Sequence, residues 1–273
     1  MSEAACHAPP RPRALLRVAG VSKMFAAASR SIAALDNVDL DVGPGEFVCL
    51  IGASGCGKST LLRIVAGFET ATAGTVTVRD RPVTGPGPDR GIVFQDYALF
   101  PWLTVRENIG FGPRHAGRNA REVRCIAARF MDMVGLSEFA DHYPHQLSGG
   151  MKQRVAIARV LANDTEMLLM DEPFGALDAL TRARLQEELL DIWQRTRLTV
   201  VFVTHSVEEA VHLGDRVLVM SAGPGRIDGD FAIDLPRPRD VSSPAFNALR
   251  RNITRRLHSD LAPARALARA AEA

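Results

Sequence analysis

The stretch that most constrains the fold is "GASGCGKST", residues 52–60, because it fits the pattern G-x-x-x-x-G-K-[ST]. It follows the apolar run "FVCLIG" and precedes "LLRIVAGF", whose apolar spacing is that of a buried helix. A strand, a glycine-rich turn and a helix in this order form a loop whose backbone N–H groups surround a phosphate. Lys58 then reaches the β- and γ-phosphate oxygens, and the Ser59 hydroxyl ligates Mg²⁺. The predicted nucleoside triphosphate contacts of the loop are Gly52, Ala53, Ser54, Gly55, Cys56, Gly57, Lys58, Ser59 and Thr60.

A second candidate element is "MLLMDE", residues 167–172, an apolar run that ends in two carboxylates. A buried strand of this kind delivers Asp171 to the edge of a sheet beside the phosphate loop, where it holds Mg²⁺ through water. Glu172 is then placed to polarise an attacking water. Taken alone, the same residues also fit an ordinary strand that ends in a solvated acidic turn.

The order of the motifs along the chain resembles that of one family. After the phosphate loop come Gln95, the run Leu147-Ser148-Gly149-Gly150, the pair Asp171 and Glu172, then Asp178 in "ALD", and finally His205. This set is similar to the complete nucleotide-binding domain of an ABC transporter over about residues 15–225. Met151 departs from the pattern, because many relatives have Gln at that position.

The resemblance implies roles for the residues outside the phosphate loop. Phe25 stacks on adenine, Gln95 contacts Mg²⁺ or the attacking water, and His205 contacts the γ-phosphate. The implied catalytic residues are Lys58, Gln95, Glu172 and His205, and the implied metal residues are Ser59, Gln95 and Asp171. Without the family, Phe25 also fits a core residue at a strand end, and His205 a structural histidine.

A homodimer is also implied by the resemblance. In this family Ser148, Gly149 and Gly150 contact the γ-phosphate of the nucleotide that a second copy binds, and Asp178 lies along the same seam. Two chains would therefore enclose two ATP molecules, each with Mg²⁺, in a head-to-tail arrangement.

The expected fold is α/β, a P-loop NTPase of the ABC ATPase type with a RecA-like core, an antiparallel β subdomain and an inserted α-helical subdomain. Near-continuous apolar runs such as "TVVFV" and "RVLVM" predict strands that are covered on both faces of a parallel sheet. Short strands with turn signals over residues 14–48 predict the antiparallel part. Helical patterning predicts the insert at about residues 96–165.

The predicted boundaries are a disordered lead over residues 1–13, an ABC ATPase domain over 14–240 and a C-terminal helical tail over 241–273. The tail carries apolar residues at helical spacing beside many arginines, which predicts an amphipathic helix that packs on its own domain. Those apolar residues are Phe246, Leu249, Ile253 and Leu257.

Composition limits the partners. The formal net charge is only +2 and the basic residues are scattered, so a nucleic-acid partner is not expected. No apolar run approaches the roughly 20 residues needed to cross a bilayer, so any membrane role must go through a partner. The family resemblance implies that this partner is a set of integral-membrane permease subunits. A single cassette of this kind resembles the ATPase subunit of a bacterial importer, located at the cytoplasmic face of the plasma membrane. An exporter half, a soluble ABC protein and a P-loop kinase are the alternatives.

The run "VTGPGPDRGIVFQDYALFPWLTVRENIGFG" is similar to the nitrate, sulfonate and taurine importer group, which also implies an extracytoplasmic solute-binding protein. Within it, the apolar cluster "LFPW" predicts a docking site for a permease helix, unless Trp102 is buried in its own lobe.

A last expectation concerns the reactivity of two cysteine thiols. The electropositive phosphate loop favours a reactive Cys56, unless the thiol is shielded and never reacts, whereas Cys49 on the preceding strand is expected to be inert.

Overall fold

The structure is a computed structural model that describes residues 14–27, 30–94, 96–175, 177–221 and 223–259. Gln95 and the predicted lead, residues 1–13, lie outside the described residues, as does the end of the predicted tail, residues 260–273. The strands are β1 Leu16–Ala27, β2 Arg30–Val42, β3 Phe47–Gly52, β4 Ala73–Val78, β5 Arg81–Pro82, β6 Arg90–Val93, β7 Met167–Asp171, β8 Thr199–Thr204, β9 Arg216–Met220 and β10 Ile227–Ala232. The helices are α1 Lys58–Ala66, α2 Val105–His115, α3 Ala120–Met133, α4 Gly149–Leu161, α5 Ala179–Thr196, α6 Val207–Leu213 and α7 Pro244–Ser259.

A six-stranded sheet has the strand order β10-β9-β3-β8-β7-β6. Strands β9 to β6 in that order run parallel, and β10 pairs antiparallel with β9 at one edge. Every residue of β3 and of β8 is buried, as their continuous apolar runs predict for central strands. Because β3, β8 and β7 are parallel neighbours, their carboxyl ends at Gly52, Thr204 and Asp171 meet at one edge. Three of the predicted motifs therefore begin at the same edge.

The second sheet is antiparallel, with the order β2-β1-β4-β5. Its first two strands have 12 and 13 residues and are longer than the short strands predicted for this part of the chain. The pairing register of β1 and β2 shifts three times between Val18 and Met24. Such bulges bend a strand and interrupt the alternation of apolar side chains, which explains why the sequence predicts shorter pieces.

Three helices, α2 to α4, lie between β6 and β7 in the chain. Helix α2 begins with a capping box of Thr104 and Glu107, and α3 with one of Asn119 and Glu122. Each box satisfies two of the free N–H groups at the start of its helix and so determines where the helix begins. Helix α4 begins directly after Ser148, so the "LSGG" run forms a helix N-terminus.

The C-terminal helix α7 packs on the rest of the protein through one apolar face. Phe246 and Ile253 are fully buried, and Leu249 and Leu257 are partly buried against the same core. The predicted packing of this amphipathic helix on its own domain is therefore confirmed. Among the described residues, no helix combines the length and the apolar character that crossing a membrane requires.

The segment before α7 is fixed to the end of α6 by Arg239. Its buried guanidinium donates to the carbonyl oxygens of Val211 at 2.7 Å and Gly214 at 2.6 Å. Burial lowers the pKa of Arg239 to about 10. The last carbonyls of a helix have no partner within the helix, so this arginine satisfies groups that would otherwise be buried without a donor.

Candidate nucleotide site

The phosphate loop connects the end of β3 to the start of α1. Gly55 and Gly57 have φ angles of +78° and +94°, in the left-handed region that favours glycine. A Cβ at Gly57 would lie 2.6 Å from Leu35 Cδ2 and 2.7 Å from the carbonyl oxygen of Ala34. The second strand of the antiparallel sheet therefore packs directly against the loop, and only glycine fits both the turn and this contact.

Lys58 is held within the loop and is only 5% exposed. Its ammonium donates to the carbonyl oxygens of Gly52 and Ala53, both at 2.9 Å. A buried positive charge beside a helix N-terminus and a run of backbone N–H groups favours an anion. The loop thus has the charge and the donors that a polyphosphate needs.

Ser59 and Asp171 are joined by a hydrogen bond across the sheet edge. The Ser59 hydroxyl donates to Asp171 Oδ1 at 2.9 Å, although the two residues lie on different elements, α1 and β7. Burial raises the pKa of Asp171, and the hydrogen bond from Ser59 opposes this effect. A hydroxyl and a carboxylate are hard oxygen ligands, so the pair fits Mg²⁺.

Glu172 and His205 come together at the same edge. His205 Nδ1 lies 3.4 Å from Glu172 Oε2, and the side chain of His205 is 63% exposed. Glu172 has a φ of +47°, a left-handed conformation that costs a residue with a side chain about 1–3 kcal/mol. Its N–H group donates to the carbonyl oxygen of Val203 at 3.0 Å, which holds this turn on β8.

A small cavity lies beside these two side chains. Its lining includes Arg182, Thr204 and Glu209 as well as Glu172 and His205. The sequence does not single out Arg182 or Glu209. The only available signal is the Ser-x-x-Glu pattern at residues 206–209, which predicts a helix cap rather than a residue of the site.

The "LSGG" run has different neighbours. Ser148 Oγ accepts from the N–H group of Met151 at 3.3 Å and so caps α4. A Cβ at Gly149 would lie 3.4 Å from Leu177 Cδ2, and one at Gly150 would lie 3.2 Å from Leu185 Cδ2. This run therefore packs against α5 and the residues before it.

Asp178 caps α5, with its Oδ1 accepting from the N–H group of Thr181 at 3.0 Å. That hydrogen bond holds the pKa of Asp178 below its usual value.

Phe25 lies on β1 and is partly exposed, with the ammonium of Lys23 4.9 Å from the centre of its ring. The predicted residue Gln95 lies outside the described part of the chain.

The expected reactivity of Cys56 is wrong. The side chain is fully buried, and a Cβ on Gly52 would lie only 2.5 Å from its sulfur. Burial raises the pKa of the Cys56 thiol, and this effect outweighs that of the Lys58 ammonium, whose Nζ lies 3.8 Å from Sγ. Cys49 is also fully buried, with a pKa raised well above the usual value, as expected for an inert thiol.

We therefore expect a maleimide to leave Cys56 unmodified in the native protein, because the reagent needs an accessible thiolate. Cys125 is exposed on α3 and is expected to react instead. The measurement is peptide mass spectrometry after brief labelling, with Cys6 replaced by Ser since it lies outside the described residues. Cys125→Ser is the control that should abolish rapid labelling. Rapid modification of Cys56 with loss of ATPase activity would contradict the buried position.

Comparison with known proteins identifies the family. Residues 35–175 match the family model described as ABC transporter. The nitrate import ATP-binding protein NrtD of Synechocystis sp. is 52% identical over 221 residues, which cover 81% of this chain and 83% of NrtD. The bicarbonate transport ATP-binding protein CmpC of Synechococcus elongatus is 52% identical over 227 residues, which cover 81% of this chain and 34% of CmpC. A solved dimeric structure of the ATP-binding cassette MJ0796, in a post-hydrolysis state with ADP and Pi, has a TM-score of 0.70 at 33% identity and covers 81% of this chain and 100% of that chain.

These similarities confirm the predicted P-loop NTPase fold and the predicted ATP-hydrolysing class. They also agree with the geometry, because the phosphate loop, the two carboxylates and the histidine meet at one edge of the sheet. The chain belongs to the ABC transporter family, as an ATP-binding and ATP-hydrolysing cassette.

Proposed function

We propose that this chain powers the import of a small oxyanion, such as nitrate, a sulfonate or taurine, through a separate membrane permease. It would act as a homodimer at the cytoplasmic face of the membrane, with an extracytoplasmic solute-binding protein delivering the solute. The names of NrtD and CmpC support the solute class, because nitrate and bicarbonate are both small oxyanions. The nucleotide site itself carries no information about the solute.

The observation that carries the proposal is the division of the motifs into two groups. Lys58, Ser59 and Asp171 lie at the phosphate loop, whereas Ser148–Gly150 packs against α5. Within the described residues, no hydrogen bond joins one group to the other. A second copy of the chain would supply the missing group to each site. The dimeric structure of the similar cassette MJ0796 supports this arrangement.

Each group at the sheet edge has a task in the proposed hydrolysis. Lys58 and the loop N–H groups bind the β- and γ-phosphates. Ser59 and Asp171 would hold Mg²⁺, which neutralises charge on the phosphates when it is bound. Glu172 polarises the attacking water, and His205 donates to the γ-phosphate. We also propose that Gln95 contacts the metal or the water and that Phe25 contacts adenine.

An aromatic ledge, formed by the half-buried Phe100 and the exposed Trp102 and Phe111, supports a permease partner. Trp102 is 70% exposed, so the alternative in which it is buried in its own lobe is wrong. The ring of Phe100 lies 5.7 Å from that of Trp102 and 4.5 Å from that of Phe111. Exposed aromatic side chains such as Trp102 and Phe111, packed on a common neighbour, are typical of a protein interaction site.

The aromatic ledge is held in place by Asn108, which is fully buried on α2. Its Oδ1 accepts from the N–H group of Phe100 at 2.9 Å. Its Nδ2 donates to the carbonyl oxygens of Phe100, Leu103 and Thr104 at 2.9–3.2 Å. One buried amide therefore fixes the whole loop, so a partner would meet a preformed surface and lose little entropy in ordering it.

Arg159 connects the aromatic ledge to the "LSGG" helix. It lies on α4, whose N-terminus is capped by Ser148, and its guanidinium lies 5.5 Å from the centre of the Phe100 ring. It donates to the carbonyl oxygens of Ala98 at 2.6 Å and Tyr97 at 3.1 Å. Movement of a docked permease helix would thus act on the helix that carries Ser148.

We expect Trp102→Ala to lower uptake and permease binding by about 30-fold, the effect of losing a central aromatic anchor worth about 2 kcal/mol. The basal ATPase rate should fall far less, because the side chain is mostly exposed and supports little of the fold. The matched control is Val241→Ala, which removes an exposed apolar side chain elsewhere on the surface. Unchanged uptake and unchanged permease co-purification in Trp102→Ala would rule out this surface.

The solute class is tested with the assembled transporter in liposomes, by measuring ATPase stimulation by the solute-binding protein. The proposal predicts stimulation by the binding protein loaded with nitrate, bicarbonate or taurine. A sugar and an amino acid that lacks a sulfonate serve as controls. Stimulation by the controls alone would contradict the oxyanion assignment while leaving the ATPase role intact.

A further inference from the structure

Glu209 is a buried carboxylate with an unexpected set of partners. It is 6% exposed and lies in the first turn of α6, three residues after Ser206. In a capping box the Glu side chain would accept from the N–H group of Ser206. Here that N–H group donates instead to Thr204 Oγ1, at 3.0 Å, and the Thr204 hydroxyl donates to Glu209. The carboxylate therefore holds Thr204 rather than the start of its own helix.

The other oxygen of Glu209 faces a different helix. Gln186 Nε2, on α5, donates to Glu209 Oε1 at 2.8 Å. The preceding residue of α5, Leu185, packs beside Gly150 of the "LSGG" run. A continuous set of contacts thus leads from the "LSGG" run through α5 to Glu209 and Thr204.

Thr204 is the last residue of β8 and directly precedes His205. The side chain of His205 is mostly exposed, so packing does little to determine its position. Its placement depends on the backbone of the turn at residues 204–206, and the hydrogen bonds of Thr204 and Ser206 fix that backbone. Glu209, His205 and Glu172 line the same small cavity.

Burying the Glu209 carboxylate costs free energy, and capping α6 does not require that burial. Burial raises the pKa of Glu209, while hydrogen bonds from Thr204 and Gln186 and the nearby charges of Arg182 and His205 oppose that effect. The Ser206 hydroxyl already caps α6 by accepting from the N–H group of Glu209 at 3.2 Å. A buried charged group is tolerated only when donors surround it, so these donors make the turn rigid.

We propose that Glu209 is a positioning residue for ATP hydrolysis, because it fixes through the Thr204 hydroxyl the turn that presents His205 to Glu172. Its contact with Gln186 ties that turn to α5. The inference rests on the proposed roles of His205 and Glu172 in hydrolysis. Neither Glu209 nor Thr204 needs to touch the nucleotide.

The first test compares Thr204→Val with Thr204→Ser. Valine keeps the branched shape and removes the hydroxyl, so kcat should fall about 10- to 100-fold, the effect of a small misplacement of a reacting group. KM and the Kd for ATP should stay near the wild-type values. Serine keeps the hydroxyl and should keep kcat within about twofold, since it can still donate to Glu209.

A second variant guards against a general loss of structure. Glu209→Ala should lower kcat in the same way as Thr204→Val, and Glu209→Gln, which keeps an acceptor oxygen, should lower it less. The matched control is Glu208→Ala, which removes the neighbouring carboxylate that pairs with Arg250 at 2.8 Å and should leave kcat unchanged. Thermal unfolding and ATP binding are measured for every variant.

The decisive measurement is a double-mutant cycle with His205→Ala, using single-turnover hydrolysis to resolve slow rates. If Glu209 acts through His205, adding Thr204→Val to His205→Ala causes no further loss. An additional loss of tenfold or more in that background would overturn the positioning role. A wild-type rate in Thr204→Val, with His205→Ala slow, would also overturn it and leave the proposed site intact. A wild-type rate in His205→Ala would instead remove His205 from the proposed site, and the positioning role with it.

Discussion

Replacing Glu172 by Gln is expected to lower ATP hydrolysis by about 100-fold or more and to leave ATP binding near wild type. The amide has the shape of the carboxylate but cannot accept a proton from water. The substitution does not alter the phosphate loop, because the ammonium of Lys58 donates to the carbonyl oxygens of Gly52 and Ala53. The ATP-bound variant should accumulate as a dimer.

The measurement is the steady-state ATPase rate beside the Kd for ATP, with dimer formation followed by size-exclusion chromatography. Glu166→Gln is the matched control. Glu166 directly precedes the first residue of β7, at the end of the strand opposite Glu172, and it pairs with Arg79 at the surface. That variant should hydrolyse ATP at the wild-type rate. Wild-type turnover in Glu172→Gln would remove Glu172 from its proposed role.

Ser148→Arg is expected to lower hydrolysis by about 100-fold, comparable to the loss of a donor that stabilises developing charge. Each chain should still bind ATP, because Ser148 caps α4 and makes no hydrogen bond to the phosphate loop among the described residues. Ser148→Asn separates the role of Ser148 as the cap of α4 from its proposed role at the ATP site, since Asn caps a helix about as well as Ser does. Loss of ATP binding in Ser148→Arg, with the fold intact, would contradict a site shared between two chains.

The parts of the site that sequence could predict are those made by neighbouring residues. The phosphate loop is one uninterrupted stretch, so its glycines, Lys58 and Ser59 follow from the pattern alone. Asp171 and Glu172 follow from an apolar strand that had to end at the edge of a sheet. Local rules were sufficient because the groups that act together are close along the chain or at equivalent strand ends.

The parts that sequence did not predict depend on contacts between distant residues. The Cys56 thiol is fully buried beside Gly52, and Met220 at the end of β9 also closely approaches Gly52. Glu209 matches a capping pattern, but a hydroxyl from β8 and an amide from α5 redirect its carboxylate. No local periodicity in the sequence predicts these contacts, because the packing of the sheet and the helices determines each of them.

The central claim is that each ATP site is completed by a second chain, and mixing two inactive variants tests it most directly. Lys58→Ala lacks a working phosphate loop and Ser148→Arg lacks a working "LSGG" run, so each alone should be inactive. A mixed dimer has one intact site, and random pairing of equal amounts makes half of the dimers mixed. The mixture should therefore recover up to about one quarter of wild-type activity. If differently tagged chains co-purify as mixed dimers and hydrolysis is still absent, the shared site is contradicted.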